Sequence, residues 1–221
     1  MRGIQKVLAL LLTLVLTAGA LPVTVSAADT GFKDVPDDAY YADAVAWAVE
    51  EEITQGTGNG VFSPERTVTR AETVTFLWRA AGSPTPTGVS TGFSDVTDKN
   101  AFYYKAVLWA VEKGITNGVG GGRFNLTATL TYDQILTFLC RFAGEEAQGD
   151  DWSAAAVAWA RNSGLTDGLT FTAKSNCPRS DVVYCLWKQL GGEVAQEQPV
   201  LGNGAGATLA ITTGFLDRKS A

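Results

Sequence analysis

Apolar residues recur along this chain at steps of three and four, in short runs separated by loops rich in glycine and polar residues. The first clear run is Tyr41, Ala44, Val45 and Ala48, at i, i+3, i+4 and i+7, with Trp47 on its flank. That spacing lays one apolar stripe along a helix. A second run, Ala71, Val74, Leu77 or Trp78, and Ala81, predicts another helix beginning at Thr69-Arg70-Ala71-Glu72. A threonine followed three residues later by glutamate, just before an apolar run, reads as a capping box. The Thr69 hydroxyl accepts from the Glu72 N–H, and the Glu72 carboxylate accepts from the Thr69 N–H. Ala71 belongs to the core face. Arg70 has no structural duty in this pattern, and a cation opposes the macrodipole at a helix N-terminus. It reads instead as part of a site for an anion.

The same pattern occurs three times. Unit one runs Phe32-Lys33-Asp34-Val35, Tyr40-Tyr41, Ala44 to Ala48, Ile53-Thr54-Gln55-Gly56, Phe62-Ser63-Pro64, Thr69 to Glu72, Arg79 and Gly82. Unit two follows roughly sixty residues later, with Phe93-Ser94-Asp95-Val96, Tyr103-Tyr104, Ala106 to Ala110, Gly114 to Gly118, Phe124, Thr131 to Gln134, Arg141 and Gly144. Unit three keeps Ala156 to Ala160, Gly164 to Gly168, Phe171, Pro178-Arg179-Ser180-Asp181, Lys188 and Gly191, but its opening is reduced to Asp150-Asp151-Trp152. Each unit reads as helix, loop, helix. Gly114 and Gly164 stand where the first helix should stop in a left-handed conformation. Glu52 holds that place in unit one, at an expected cost of about 1 kcal/mol. The loop from Gly56 to Gly60 supplies turns; it has no GxxxxGK[ST] pattern, so it is not a phosphate cradle. Units this small cannot bury both helices alone, so three stacked units form the expected folding unit, all-α in class. Trp47, Trp109 and Trp159, at one matched position, read as packing aromatics.

Composition adds export. Of 221 residues, 46% are apolar and 18% charged, with six Trp, which suits a protein with a real core. Arg2 and Lys6 precede an uncharged run from Val7 to Ala20, and Val25-Ser26-Ala27 places small residues before a cut after Ala27. This reads as a signal peptide, its apolar core of about 14 residues being short of the roughly 20 that a span needs. Cleavage takes two of the 17 basic residues and none of the 23 acidic ones, leaving about −8. Neither a nucleic-acid footprint nor a polybasic membrane patch is present. An anionic partner would have to be held by a few placed cations. With no His, and with Cys140, Cys177 and Cys185 outside any CxxC spacing, no metal or redox motif follows and no cofactor is expected. One disulfide among the three is open on this reading, its pairing undecided.

In this order, Phe-x-Asp-Val, Tyr-x-x-Ala-Val-x-Trp-Ala, Gly-Ile-Thr-x-Gly, Phe-x-Pro and Thr-Arg-Ala-Glu resemble S-layer homology (SLH) domains, over about residues 32 to 191. The resemblance implies a pseudo-threefold helical module of three tandem repeats. It further implies anchoring to bacterial envelopes, mostly Gram-positive, by binding secondary cell-wall polysaccharide that often carries pyruvate ketals. A ketal pyruvate is a carboxylate, which arginine pairs with through a planar fork, and the helix end should add free N–H groups. The resemblance carries the ligand role to Arg70 and, more distantly, to Arg179, with Asp34 and Asp95 beside the groove. For the two aspartates a turn or cap role is equally open.

Two units depart from the motif. Unit two has Thr131-Tyr132-Asp133-Gln134, which keeps the capping pair Thr131 and Gln134 but replaces the cation. Unit three keeps Arg179 on an altered scaffold, with Pro178 and Asp181 at the capping positions. One good groove is expected at Arg70, a doubtful one at Arg179 and a dead one at Tyr132, and Arg70→Ala is expected to abolish most wall binding with the fold intact. The chain divides into a signal peptide over 1–27, repeats over 28–85, 90–145 and 150–191, the last degenerate, and a Gly/Ala-rich tail over 192–221 with an apolar stretch from Thr208 to Leu216. No catalytic or metal-binding residue is expected. A protein–protein assembly module of the envelope is the main alternative. A wall glycosidase built on Asp37-Asp38 or Glu50 to Glu52 and a calcium module fit less well, because the acidic pairs lie on turns and helix ends and no D-x-[DN]-x-[DN]-G loop occurs.

Overall fold

The computed structural model describes residues 29–147 and 151–192. The expected signal peptide and the tail with its Thr208–Leu216 stretch lie outside them. Among the described residues six helices form two sets. The first helices of the units are α1 (Ala42–Glu50), α3 (Tyr104–Glu112) and α5 (Trp152–Asn162); the second helices are α2 (Arg70–Ala80), α4 (Tyr132–Phe142) and α6 (Arg179–Gln189). Isolated bridges are the only β pairing among the described residues, so the fold is all-α. None of the described helices is long and apolar enough to cross a membrane.

The predicted stripes are largely the buried ones. On α1, Ala44, Val45 and Ala48 are sealed from solvent, with Tyr41 close behind. On α2, Ala71, Val74 and Leu77 are buried. Leu77, not Trp78, takes the core position: Trp78 is half-buried and its indole N–H donates to the Pro84 carbonyl at 2.9 Å. Ala81 caps the helix and is exposed, so the stripe ends one turn earlier than its spacing implied. Trp109 is buried, and Trp47 and Trp159 pack half-buried against the core. The helix starts also pair Tyr41 with Tyr103 across the units, so Tyr40-Tyr41 corresponds to Phe102-Tyr103, one residue before Tyr103-Tyr104.

Helix ends follow the left-handed stop. Gly114 and Gly164 have φ of 68° and 73°, and Glu52 has φ of 57° at the matching place. Glu52→Gly removes the side chain from a conformation that disfavours it. It should raise stability by about 1 kcal/mol, read as a higher urea midpoint.

The two helices of one unit do not form the main pairs. Instead α2 packs on α3, α4 on α5, and α6 returns to α1, so each second helix takes the first helix of the next unit. The ring closes on itself. The second helices also meet one another, α2 with α4 and α4 with α6. Their position shows in their burial: every residue of α6 from Arg179 to Trp187 is buried, as expected of a helix surrounded by others.

Backbone bonds at the second-helix N-termini seal the ring. Arg70 N–H donates to Ala128 O (2.9 Å) and Ala71 N–H to Leu126 O (3.2 Å). Tyr132 and Asp133 do the same to Ser175 O (3.1 Å) and Ala173 O (3.0 Å), and Arg179 and Ser180 to Arg66 O (2.9 Å) and Pro64 O (3.0 Å). The N–H groups expected to be free for an anion are therefore spent on the neighbouring unit. A helix end buried between units cannot leave its donors unpaired, and the adjoining loop carbonyls satisfy them.

All three cysteines are buried free thiols, so the open disulfide does not form. Burial raises the thiols of Cys140, Cys177 and Cys185 above their ordinary range. A folded-state pKa above the unfolded one gives stability that is complete below the unfolded thiol value. That stability is lost as pH rises past it, from about pH 8.5 upward. Thermal midpoints should fall over that window, and Cys177→Ala should flatten the fall.

Candidate functional site: the grooves between units

Each second helix starts at a groove shared with the next unit, and its first residue reaches across. Arg70 is 6% exposed. Its Nε donates to Phe124 O at 2.8 Å and its Nη2 to Thr116 Oγ1 at 3.3 Å. The guanidinium carbon lies 4.9 Å from the Phe124 ring centre and 5.1 Å from that of Phe138. Burial, then the nearby Arg141 cation, pushes the Arg70 pKa down to about 10 against the pull of Asp95, so Arg70 stays charged at neutral pH. Nη1 makes no hydrogen bond among the described residues and is not one of the sealed orphan atoms. Arg70 is thus a strut between units one and two with one donor edge left over. The expectation that Arg70→Ala spares the fold does not survive this geometry, because the side chain bonds a buried carbonyl and fills the space between two rings.

Arg179 repeats the arrangement between units three and one. Its guanidinium lies 4.9 Å from Phe62 and 4.7 Å from Phe76, with Nη2 on Thr54 Oγ1 at 2.5 Å and Nη1 3.8 Å from Glu72. It is more deeply sealed, at 2% exposure, and its Nε is buried without a partner. Burial is again the main cause of a pKa pushed down to about 10.

Tyr132 fills the same place between units two and three. Its ring stacks on Phe171 at 4.4 Å and 15°, and its hydroxyl donates to Asp181. Asp181 also accepts from the Tyr40 hydroxyl. Asp181 stands where the other units carry the capping Glu72 and Gln134, and turns inward to two phenols. Burial first, then the bond to Asp181, raises Tyr132 far above the ordinary phenol range. Beyond Phe171, a shallow cleft of about 400 Å³ is lined by Arg161, Thr166, Asp167 and Gly168.

The capping residues and aspartates support these starts. Glu72 and Thr69 form the full box (2.9 and 3.2 Å), and Arg66 forks onto the Glu72 carboxylate. Burial works to raise Glu72, but the bonds from Arg66 and Thr69 outweigh it and hold the carboxyl below its usual range. Thr131 and Gln134 keep the box, with Thr131 N–H donating to Gln134 Oε1 at 3.2 Å. The Gln134 N–H bonds Asp133 Oδ1 at 3.0 Å. Asp34 accepts from Phe62 and Ser63 N–H, both at 2.7 Å, and Asp95 from Phe124 and Asn125 N–H at 2.8 and 2.7 Å. Each aspartate pins the loop that carries the ring beneath the arginine.

One cluster has no counterpart in the motif comparison. Asp133, wholly buried, accepts from Lys174 Nζ at 2.5 Å and Ser153 Oγ at 2.6 Å, and Thr131 Oγ1 donates to it as well. Burial works to raise Asp133, and these bonds hold it below its usual range. Lys174 occupies the place of Glu65 and Thr127, the residues following Pro64 and Leu126 in the matched carbonyl register. Laying the loops together by that register is the signal that singles it out.

Three helical pairs closed into a ring define a repeat-built helical module. The S-layer homology domain model matches residues 31–74 and 92–134. The chain is similar to a cell surface protein of Thermoanaerobacter kivui, 33% identical over 194 residues, covering 86% of this chain and 25% of that protein. It is also similar to the S-layer protein sap of Bacillus anthracis (32% over 119 residues, 53% of this chain and 14% of that one). The surface-layer 125 kDa protein of Lysinibacillus sphaericus is 29% identical over 184 residues, 78% of this chain and 15% of that one. The matched stretch therefore spans a quarter or less of these relatives.

Proposed function

We propose that this chain is a three-unit SLH module that anchors non-covalently to the bacterial cell wall. It does so by binding secondary cell-wall polysaccharide whose pyruvate ketals supply carboxylates. The observation that carries this reading is the joint at Arg70: both family matches meet there, and Arg70 keeps an unbonded Nη1 at the edge of the groove. An ionised carboxylate against that edge gains a charge-assisted hydrogen bond in a half-dry setting. Arg179, more deeply sealed, acts mainly as a strut, and Asp34 and Asp95 position the loops. The module acts by binding, without catalysis, at the surface of an exported protein.

The test is sedimentation of the mature protein with purified Gram-positive walls before and after removal of the pyruvylated polymer. Binding should be lost on removal. Equal binding to stripped walls would sink the carbohydrate reading and favour assembly with another envelope protein.

A further inference from the structure

In units one and two the opening segment covers the loop between the helices. Phe32 lies against Phe62 with ring centres 5.7 Å apart, and Phe93 against Phe124 at 5.6 Å. Gly56 and Gly118 make room for the covering rings: a Cβ there would come within 2.5 Å of Phe32 or Phe93. Two residues past each covering ring, Asp34 accepts from the Phe62 and Ser63 N–H groups, and Asp95 from those of Phe124 and Asn125. Phe62 and Phe124 are fully buried.

Unit three has the loop without the cover. Gly168 takes the place of Gly56 and Gly118, and a Cβ there would meet nothing within 4 Å. Phe171 is only partly buried, and the N–H groups of Phe171 and Thr172 reach no acceptor among the described residues. The cleft of about 400 Å³ opens here, with Gly168 and Phe171 in its lining. Arg161, which replaces Val49 and Val111 of the other units, holds its guanidinium 5.5 Å from the Phe171 ring centre. It makes no salt bridge among the described residues.

The missing cover is present elsewhere in the chain. The two openings read Thr30-Gly31-Phe32-Lys33-Asp34 and Thr91-Gly92-Phe93-Ser94-Asp95, and the same pattern returns at Thr213-Gly214-Phe215-Leu216-Asp217, outside the described residues. We propose that this tail segment docks in the cleft of unit three and completes it. Phe215 covers Phe171 over Gly168, and the Asp217 carboxylate meets Arg161 and the two open N–H groups. The charges match: the cleft offers Arg161 and Asp167, and the segment brings Asp217 followed by Arg218 and Lys219. The reach is sufficient. Residues 193–212 join Gly192 to the segment, and a chain of that length spans about 25 Å on average. The cleft and Gly192 are separated by α6, which is about 17 Å long. A seat filled in this way is closed to any Phe-x-Asp segment of another protein.

Hydrogen exchange at the Phe171 and Thr172 amides, followed by NMR on the full chain, reads the seat. Exchange in the parent should be at least about tenfold slower than in Asp217→Ala, which removes the carboxylate, and in Phe215→Ala, which removes the ring. Both substitutions lie in the tail, so neither disturbs the packed helices. Arg161→Gln, at an exposed position, should speed exchange about threefold by removing the cation that faces the carboxylate. Equal exchange in the parent and both tail variants overturns the proposal. Protection that appears only at high protein concentration, with a doubled mass in sedimentation, also overturns it and gives the seat to a second copy of the chain.

Discussion

Replacing Arg70 with alanine should cost about 3 kcal/mol of stability, whereas replacing it with methionine should cost about 1. Alanine removes the donors to Phe124 O and Thr116 Oγ1 and leaves a void between the Phe124 and Phe138 rings. The orphaned carbonyl belongs to a fully buried residue. Methionine refills the void with a flexible apolar chain that packs well on aromatic edges, and it ends the cost of keeping a cation out of water. Urea denaturation at neutral pH measures both. The two variants separate strut from ligand contact: Arg70→Met keeps the ring closed but offers no donor to a carboxylate, so it should lose wall sedimentation while staying folded. Wall binding by Arg70→Met equal to that of the parent would remove Arg70 from the ligand's contacts. Losses equal in the alanine and methionine variants would mean that the rings do not depend on the side chain between them.

Tyr132→Ala should be still more damaging, at about 4 kcal/mol, the range for deleting a buried aromatic. The ring stacks on Phe171, and its phenol supplies one of the two phenol bonds to the buried carboxylate of Asp181. Tyr132→Phe keeps the stack and should cost about 2 kcal/mol, because it removes a hydrogen bond to a charged acceptor. A double-mutant cycle of Tyr132→Phe with Asp181→Ala should therefore show coupling of about 1 kcal/mol or more. Additive losses would mean that the phenol and carboxylate do not stabilise one another. The exchange of arginine for tyrosine in unit two is thus an alternative way to close a joint. Asp181, freed from capping by Pro178, turns to meet the phenol.

Local patterns were legible because they depend on neighbours in sequence. The apolar stripe of α1, the Thr69–Glu72 box and the left-handed stops at Gly114, Gly164 and Glu52 each involve residues within a turn of one another. Their spacing states the geometry. Arg70 and Lys174 were misjudged or missed for the opposite reason. Arg70 looked idle because nothing in its own helix needs it; its partners, Thr116 and Phe124, lie in the next unit. Lys174 matches no motif of its own unit, and its partner Asp133 lies across a joint.

By itself, then, the amino-acid order determined that the chain makes three helix–loop–helix units, where the first helices stop and the second begin, and which face of each is apolar. Only the tertiary structure decided which apolar faces meet. An apolar stripe specifies burial but not a partner, since dispersion and the hydrophobic effect are blind to sequence distance. Here each second helix buries its stripe on the following unit's first helix, and α6 on α1 completes the ring. That choice turns the helix N-termini inward, spends their N–H groups on loop carbonyls, makes struts of Arg70 and Arg179, and sets Lys174 on Asp133 at the remaining joint.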